Sequence, residues 1–482
     1  MIQPYIPTTE ILSFMSYRTE HDFLGEKQIP NDVYYGVQTL RARENFDITG
    51  IPISKEPLFI KAFAYVKKAA AQANKDLGIL DAKIADAICW ACDKLIAGEY
   101  RDQFVSDLIQ GGAGTSCNMN ANEVIANVAL EHLGHEKGQY EFVHPNNHVN
   151  CSQSTNDAYP SAFRIAVYLK MNELIKALDS LGKAFRSKSE TFKNVLKMGR
   201  TQLQDAVPMT LGQEFGAYAT TLAEDVLRLK EVQALVTEVN MGATAIGTGV
   251  NAPEGYAALC VKYLARETGL PVTLSPDLIE ATWDTGAYVQ VSGTMKRCAV
   301  KLSKICNDLR LLSSGPRAGL NEINLPPLQP GSSIMPGKIN PVIPEAVNQT
   351  CFYVIGADLT ITMAAEAGQL QLNVMEPVIG FSLFTALDYL TKAIGLLQTK
   401  CVEGITANPD VCRNMVMNSI GIVTMLNPLI GYEASADIAR EALKTGKSVY
   451  QIAVDERQLL TKEKWDEIYS VENMIHPHFI NQ

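Results

Sequence analysis

Between residues 284 and 313 the chain reads DTGAYVQVSGTMKRCAVKLSKICNDLRLLS. Its apolar side chains Tyr288, Val291, Met295, Cys298, Leu302, Ile305, Leu309 and Leu312 follow one another at alternating intervals of three and four residues. That is the 3.5-residue repeat of helices packed side by side at a shallow angle. The spacing predicts a long helix with one continuous seam. Leu174, Ile175, Leu178, Leu181 and Phe185 lie on one face of a second helix starting near residue 160, and further helical stretches fall near 210–240, 342–371 and 378–403. The middle of the chain therefore reads as a bundle of about five long helices. A helix of roughly 30 residues spans roughly 45 Å, more than a compact monomer core covers, so the seam is expected to bury against other copies of the chain.

Outward from the bundle the texture changes. Residues 1–14, with Pro4 and Pro7, lack periodicity and read as a loose tail. Residues 16–50 are polar and turn-rich. Residues 55–100 read as two helices, one with Leu58, Ala62, Tyr65, Val66 and Ala69 on a face, the other with Ile84, Ile88, Ala91 and Leu95. The expected class is mainly α in three domains: a mostly helical 1–154, a central bundle 155–408, and a small helical domain 409–482 that follows Asn408-Pro409.

Composition removes several classes of function. A net charge of −10 over 482 residues leaves no basic stripe to displace counterions from phosphates, so no nucleic-acid partner is expected. No run of 18 apolar residues is present and the first residues lack a basic-then-apolar signal, so neither a membrane nor a secreted protein is expected. Ten scattered cysteines point to a reducing, cytoplasmic compartment. Only Cys89 and Cys92 have metal-like spacing, in an apolar stretch with no second pair, so no metal site is assigned. The histidines stand at 21, 132, 135, 144, 148, 476 and 478. With none between 149 and 475, and no Gly-x-Ser-x-Gly elbow, a Ser-His-Asp hydrolase is disfavoured. His144 and His148 have helical zinc spacing, but Pro145 makes a helix there improbable.

The remaining polar clusters share a theme. Gly111-Gly112-Ala113-Gly114-Thr115-Ser116 runs into a helical segment and offers backbone N–H groups to an anion. It is not a dinucleotide fingerprint, because no strand precedes it, and Gly446-Lys447-Ser448 is no Walker motif, because Glu441 stands where the first glycine belongs. Ser152-Gln153-Ser154-Thr155-Asn156-Asp157 supplies more capping groups than one helix needs. Gly331-Ser332-Ser333-Ile334-Met335-Pro336-Gly337-Lys338-Ile339-Asn340-Pro341 is a loop carrying hydroxyls on its glycine side and Lys338 with Asn340 on its proline side. A lysine and an amide two residues apart in extended backbone both reach one carboxylate. Hydroxyls, amides and one lysine suit the binding of a small dicarboxylate and a proton transfer beside it.

These stretches resemble the fumarase/aspartase superfamily. Residues 331–341 match its Gly-Ser-Ser-x-Met-Pro-x-Lys-x-Asn-Pro catalytic loop, and Gly114-Thr115-Ser116 with Asn118-Met119-Asn120, Ser154-Thr155-Asn156-Asp157 and Gly199-Arg200-Thr201 follow in the family's order. The resemblance covers the chain from Arg18 to the C-terminal domain. Tyr34-Tyr35-Gly36-Val37-Gln38-Thr39-Leu40-Arg41-Ala42, Ala318-Gly319-Leu320-Asn321-Glu322 and Pro341-Val342-Ile343-Pro344-Glu345 favour the aspartate-deaminating branch. Gln202 stands where fumarases place a histidine thought to activate water, and glutamine is no base.

The resemblance implies reversible deamination of L-aspartate to fumarate and ammonia without an organic cofactor, a divalent cation such as Mg2+ entering only as an activator. It implies a homotetramer whose active sites are shared between subunits. By the family's motifs Ser332 takes the Cβ proton as an alkoxide. Thr115, Ser154, Thr155 and Ser333 hold the β-carboxylate, Lys338 and Asn340 the α-carboxylate, and Asn156, Thr201 and Gln202 the amino group. The alternatives are a fumarate hydratase and a catalytically silent helical scaffold. The loop 144–146 resembles a second anion site of fumarases, with Asn147 where Asp is usual there.

Overall fold

A computed structural model describes residues 16–475, so the expected tail at 1–14 and the histidines 476 and 478 lie outside the described residues. Within that span two strands pair as a hairpin, β1 Tyr17–Asp22 with β2 Gly25–Pro30, where only turns were expected. Helices follow: α1 Val37–Asn45, α2 Pro57–Asp76, α3 Ala82–Ile96, α4 Thr115–His132 and α5 Thr155–Thr191. A second hairpin, β3 Leu196–Thr201 with β4 Gln204–Thr210, leads to α6 Leu211–Gln233, α7 Tyr256–Thr268, the short α8 Glu280–Trp283 and α9 Gly286–Leu312. After the loop 331–341 come α10 Val342–Glu366 and α11 Glu376–Lys400. The C-terminal helices are α12 Pro409–Asn418, α13 Asn427–Ile430, α14 Tyr432–Thr445, α15 Lys462–Ile468 and α16 Val471–Ile475.

The five long helices are α5, α6, α9, α10 and α11, and every seam residue named above on α5 and α9 is buried. The chain forms two compact units, and their boundary falls inside all five of these helices. Among the described residues, one unit takes 16–172, Glu231–Gly293 and Ala357–Ala386; the other takes Glu173–Lys230, Thr294–Gly356 and 387–475. This partition differs from the linear division at 154/155 and 408/409, because rods of this length outrun a single core.

In the first unit Phe59, Tyr159, Phe163, Tyr288 and Phe384 form an aromatic core, with Phe163 and Phe384 edge-on at 5.2 Å. Glu376–Gly404 is long and apolar enough to cross a membrane, but this packing is that of a core helix, whose most apolar window is 56% buried. Pro160 inside α5 removes an N–H that Asn156 O would accept, and buried Asn240 Nδ2 supplies it at 3.0 Å. Glu123, buried on α4, fixes the stretch that opens α1. It accepts from Gly36 N, Gln38 N, Thr39 N and Thr39 Oγ1, which gives partners to N–H groups that the helix N-terminus leaves unpaired.

In the second unit Trp465 centres a core with Leu196, Met198, Val416, Ile422, Leu426, Ile438 and Ile452. Lys197, buried, lies 2.5 Å from Glu214 and 3.0 Å from Glu322, and Arg200 meets Glu322 at 2.6 Å. These pairs tie β3 to α6 and to the segment around Glu322.

Candidate active site

Each cluster singled out from sequence takes a local form that its residues dictate. Gly114 adopts φ 91° before α4, a left-handed conformation natural to glycine, and a Cβ there would strike the Tyr159 ring. Thr115 is thereby the first residue of α4, and its Oγ1 donates to Gly112 O at 2.7 Å. The cavity beside it is also lined by Gln38, Arg41, Ser116 and Met119, and Arg41 is paired with Asp22 at 2.8 Å. At the start of α5, Ser154 Oγ accepts from Asn156 N while Asp157 accepts from Ser154 N, a reciprocal capping box. Asp157 also accepts from Gly242 N and Thr244 N. Burial raises its carboxyl to about 6, against the pull of those donors. Asn156 Nδ2 donates to Ala245 O, leaving its Oδ1 as an acceptor. Thr115, Ser154, Thr155 and Asn156 are thus all at helix N-termini, where backbone N–H groups face outward.

Sequence reading missed what stands behind Thr155. Lys67 on α2 is fully buried, and its Nζ donates to Asn118 Oδ1 at 2.6 Å, Asn150 Oδ1 at 2.9 Å and Gln153 Oε1 at 2.9 Å. Asn118 Nδ2 in turn donates to Thr155 Oγ1 at 3.2 Å. Burial drives the Lys67 ammonium down to about 7, opposed by the charge of Asp157. The signal was present: Lys67 falls four residues after Phe63 and three before Ala70, on the buried stripe of α2.

The loop 144–150 corrects one expectation. Pro145–Val149 form a π-helical turn, with proline at its first position, where a missing N–H costs nothing. His144 Nδ1 accepts from Asn146 N and Asn147 N, and His148 Nδ1 accepts from His144 N. Both imidazoles are thereby committed to the backbone through Nδ1. Among the described residues no group of three or more His, Cys, Asp or Glu could hold a metal ion.

In the second unit, Thr201 and Gln202 occupy the exposed tip of the β3–β4 hairpin. Gln202 and Leu203 have φ 53° and 63°, the mirror-image turn that matches the twist of a two-residue hairpin. The loop 331–341 closes on itself. Gly331 N donates to Lys338 O at 2.7 Å, and Asn340 Nδ2 donates to Gly331 O at 2.8 Å, spending one of its two N–H groups. Ser332 Oγ accepts from Ile334 N at 3.2 Å and Met335 N at 3.1 Å. Ser333 and Lys338 are exposed. Two backbone donors aimed at one hydroxyl oxygen stabilise negative charge on it, as an alkoxide needs.

A family model described as "Lyase" matches residues 25–356, and one described as "Fumarase C C-terminus" matches 422–476. The chain is 61% identical over 461 residues to an aspartate ammonia-lyase of Helicobacter pylori, covering 96% of this chain and 98% of that one. It is 58% identical over 463 residues to that of Escherichia coli, covering 96% and 97%. Among solved structures, a fumarate lyase:delta crystallin from Brucella melitensis matches with a TM-score of 0.94 at 52% identity, covering 96% of this chain and all of that one. A class II fumarase from Schistosoma mansoni matches with a TM-score of 0.90 at 34% identity, covering 96% of this chain and all of that one.

Proposed function

The chain belongs to the lyase family that contains the fumarases and the aspartate ammonia-lyases, and from that premise we infer that it deaminates L-aspartate reversibly to fumarate and ammonia. The reaction is a carbon–nitrogen lyase reaction whose difficulty is acidity. The proton leaves a carbon beside a carboxylate, and the resulting aci-carboxylate must be held by preorganised donors.

We propose the following division of labour. Ser332 takes the Cβ proton as an alkoxide, and the observation that carries this is the pair of N–H donors from Ile334 and Met335 already on its Oγ. Thr115, Ser154, Thr155 and Ser333 grip the β-carboxylate as charge builds on it. Lys338 supplies charge to the α-carboxylate, and Asn340 its second N–H. Asn156, through its Oδ1, and Thr201 with Gln202 orient the amino group. Closing of the loop 331–341 excludes water.

The same proposal includes a homotetramer with shared active sites. Phe352, Leu359 and Met363 are exposed along α10, and such a stripe is stable when a second copy covers it. A cytoplasmic location is supported by ten cysteines, all free. The chemistry needs no organic cofactor, since proton transfer and carboxylate binding lie within the reach of the named side chains; a divalent cation such as Mg2+ enters only as an activator.

The test is ultraviolet absorbance of fumarate formed from L-aspartate, with L-malate in a parallel cuvette. Absorbance from aspartate alone is expected. Absorbance from malate alone overturns the reading, since Gln202 then needs a substitute base.

A further inference from the structure

We propose that Lys67 is a positioning residue that fixes, through Asn118, the direction in which the Thr155 hydroxyl donates. The inference rests on the reading of Thr155 as a carboxylate ligand and deepens it. An ammonium has three donors and no acceptor, so every partner it contacts must present oxygen. Lys67 contacts Asn118, Asn150 and Gln153, and this sets which end of each amide faces it. With Oδ1 of Asn118 committed to Lys67, its Nδ2 faces the other way. The two N–H groups of that nitrogen go to Asn150 Oδ1 at 3.1 Å and Thr155 Oγ1 at 3.2 Å. Asn122 Nδ2 adds a donor to Asn150 Oδ1, and Asn150 Nδ2 donates to Gln153 O, so the order of donors and acceptors runs in one sense through the cluster. A hydroxyl oxygen that accepts an N–H turns its own proton elsewhere. Among the described residues the structure gives that proton no acceptor.

The consequence is chemical. A threonine hydroxyl left to rotate donates and accepts equally well, and it must reorganise as charge appears. The Thr155 hydroxyl is held as a donor before substrate arrives, which is what stabilises a developing aci-carboxylate most. Filling space at this position would not call for an ammonium. Lys67 is fully buried, and among the described residues no carboxylate hydrogen-bonds to it, an arrangement that a methionine would replace at lower desolvation cost.

The experiment is a double-mutant cycle on kcat/KM for L-aspartate with Lys67→Met and Thr155→Val. Each single variant is expected to lose roughly a hundredfold, the cost of one misdirected oxyanion donor. In the Thr155→Val background Lys67→Met is expected to change kcat/KM by less than about threefold, because the group it acts through is gone. Losses that multiply instead overturn the proposal, since a purely structural role of Lys67 is indifferent to the residue at 155. Should Lys67→Met not fold, Asn118→Asp keeps the ammonium paired and sets an acceptor against Thr155 Oγ1. A roughly hundredfold fall in kcat/KM supports the proposal, and wild-type kcat/KM overturns it. Wild-type protein inactive on aspartate removes the carboxylate-site reading and the proposal with it; active wild type with multiplying losses removes only the role of Lys67.

Discussion

The polar cluster behind Thr155 and the loop 331–341 carry similar side chains under opposite conditions. Lys67, Asn118 and Asn150 draw on α2, α4 and the segment before α5, and their amide and ammonium groups are tied to one another deep in the unit. Lys338, by contrast, is exposed, and the hydrogen bonds described for residues 331–338 close within 331–340. One lysine is part of the fold, and the other is available to a ligand. Under the division of labour proposed above, the difference teaches how such chemistry divides: donors that must not reorganise are built into the core, and Ser332, proposed to take the proton, sits where local opening costs little.

The sharpest way to break this comparison is Ser332→Ala. Turnover is expected to fall roughly 10²–10⁴-fold, the contribution of a positioned base, with an unchanged melting temperature. A large loss of stability would show that the loop is structural after all. Next in size is Glu123→Gln, on the same helix as Asn118. Burial lifts the Glu123 carboxyl to about 7, so the folded state holds its proton where the unfolded state has lost it. Its stabilising effect is then complete below about pH 4.5 and is lost as pH rises through 7, on the order of 3 kcal/mol in all. The glutamine variant does not titrate, so the wild-type advantage measured by thermal unfolding should shrink from pH 4.5 to 7; a pH-independent difference counts against the burial argument.

The smallest effect sharpens the comparison by making one substitution twice. A Cβ on Gly36 would lie 2.8 Å from Glu123 Cδ and from Tyr140 Oη, and closer still to Glu20. Gly36→Ala is therefore expected to cost about 1–3 kcal/mol of stability, read by denaturant unfolding. A Cβ on Gly331 would lie 2.8 Å from Lys338 O and Asn340 Cγ. Gly331→Ala should leave stability unchanged while turnover falls about tenfold, because the loop's closing hydrogen bonds are displaced. Equal stability losses at both positions would erase the distinction between the two regions.

Much of this was legible. The alternating three-and-four spacing of Tyr288 to Leu312 found a buried seam, and the five long helices begin close to where the periodicity placed them. Other features were not. The β3–β4 hairpin turns on Gln202-Leu203, which carries neither the glycine nor the asparagine that announces such a turn. The π-turn at Pro145–Val149 accommodates its proline at the first position, a boundary no periodicity marks. The stripe on α2 proved wider than the one read from sequence, with Phe59, Phe63 and Lys67 buried while Leu58 and Tyr65 are half-buried.

By itself the sequence determined the long helices, the glycine and proline loops, and which residue types gather in each cluster. These follow from local rules: apolar period, backbone freedom and capping chemistry act over a few neighbouring residues. Only the tertiary structure decided which charges are buried and which way each amide faces. Lys67 and Lys338 are the same residue type in sequence. What separates them is desolvation and the three oxygen atoms that two distant segments bring to Lys67, and long-range packing alone supplies both.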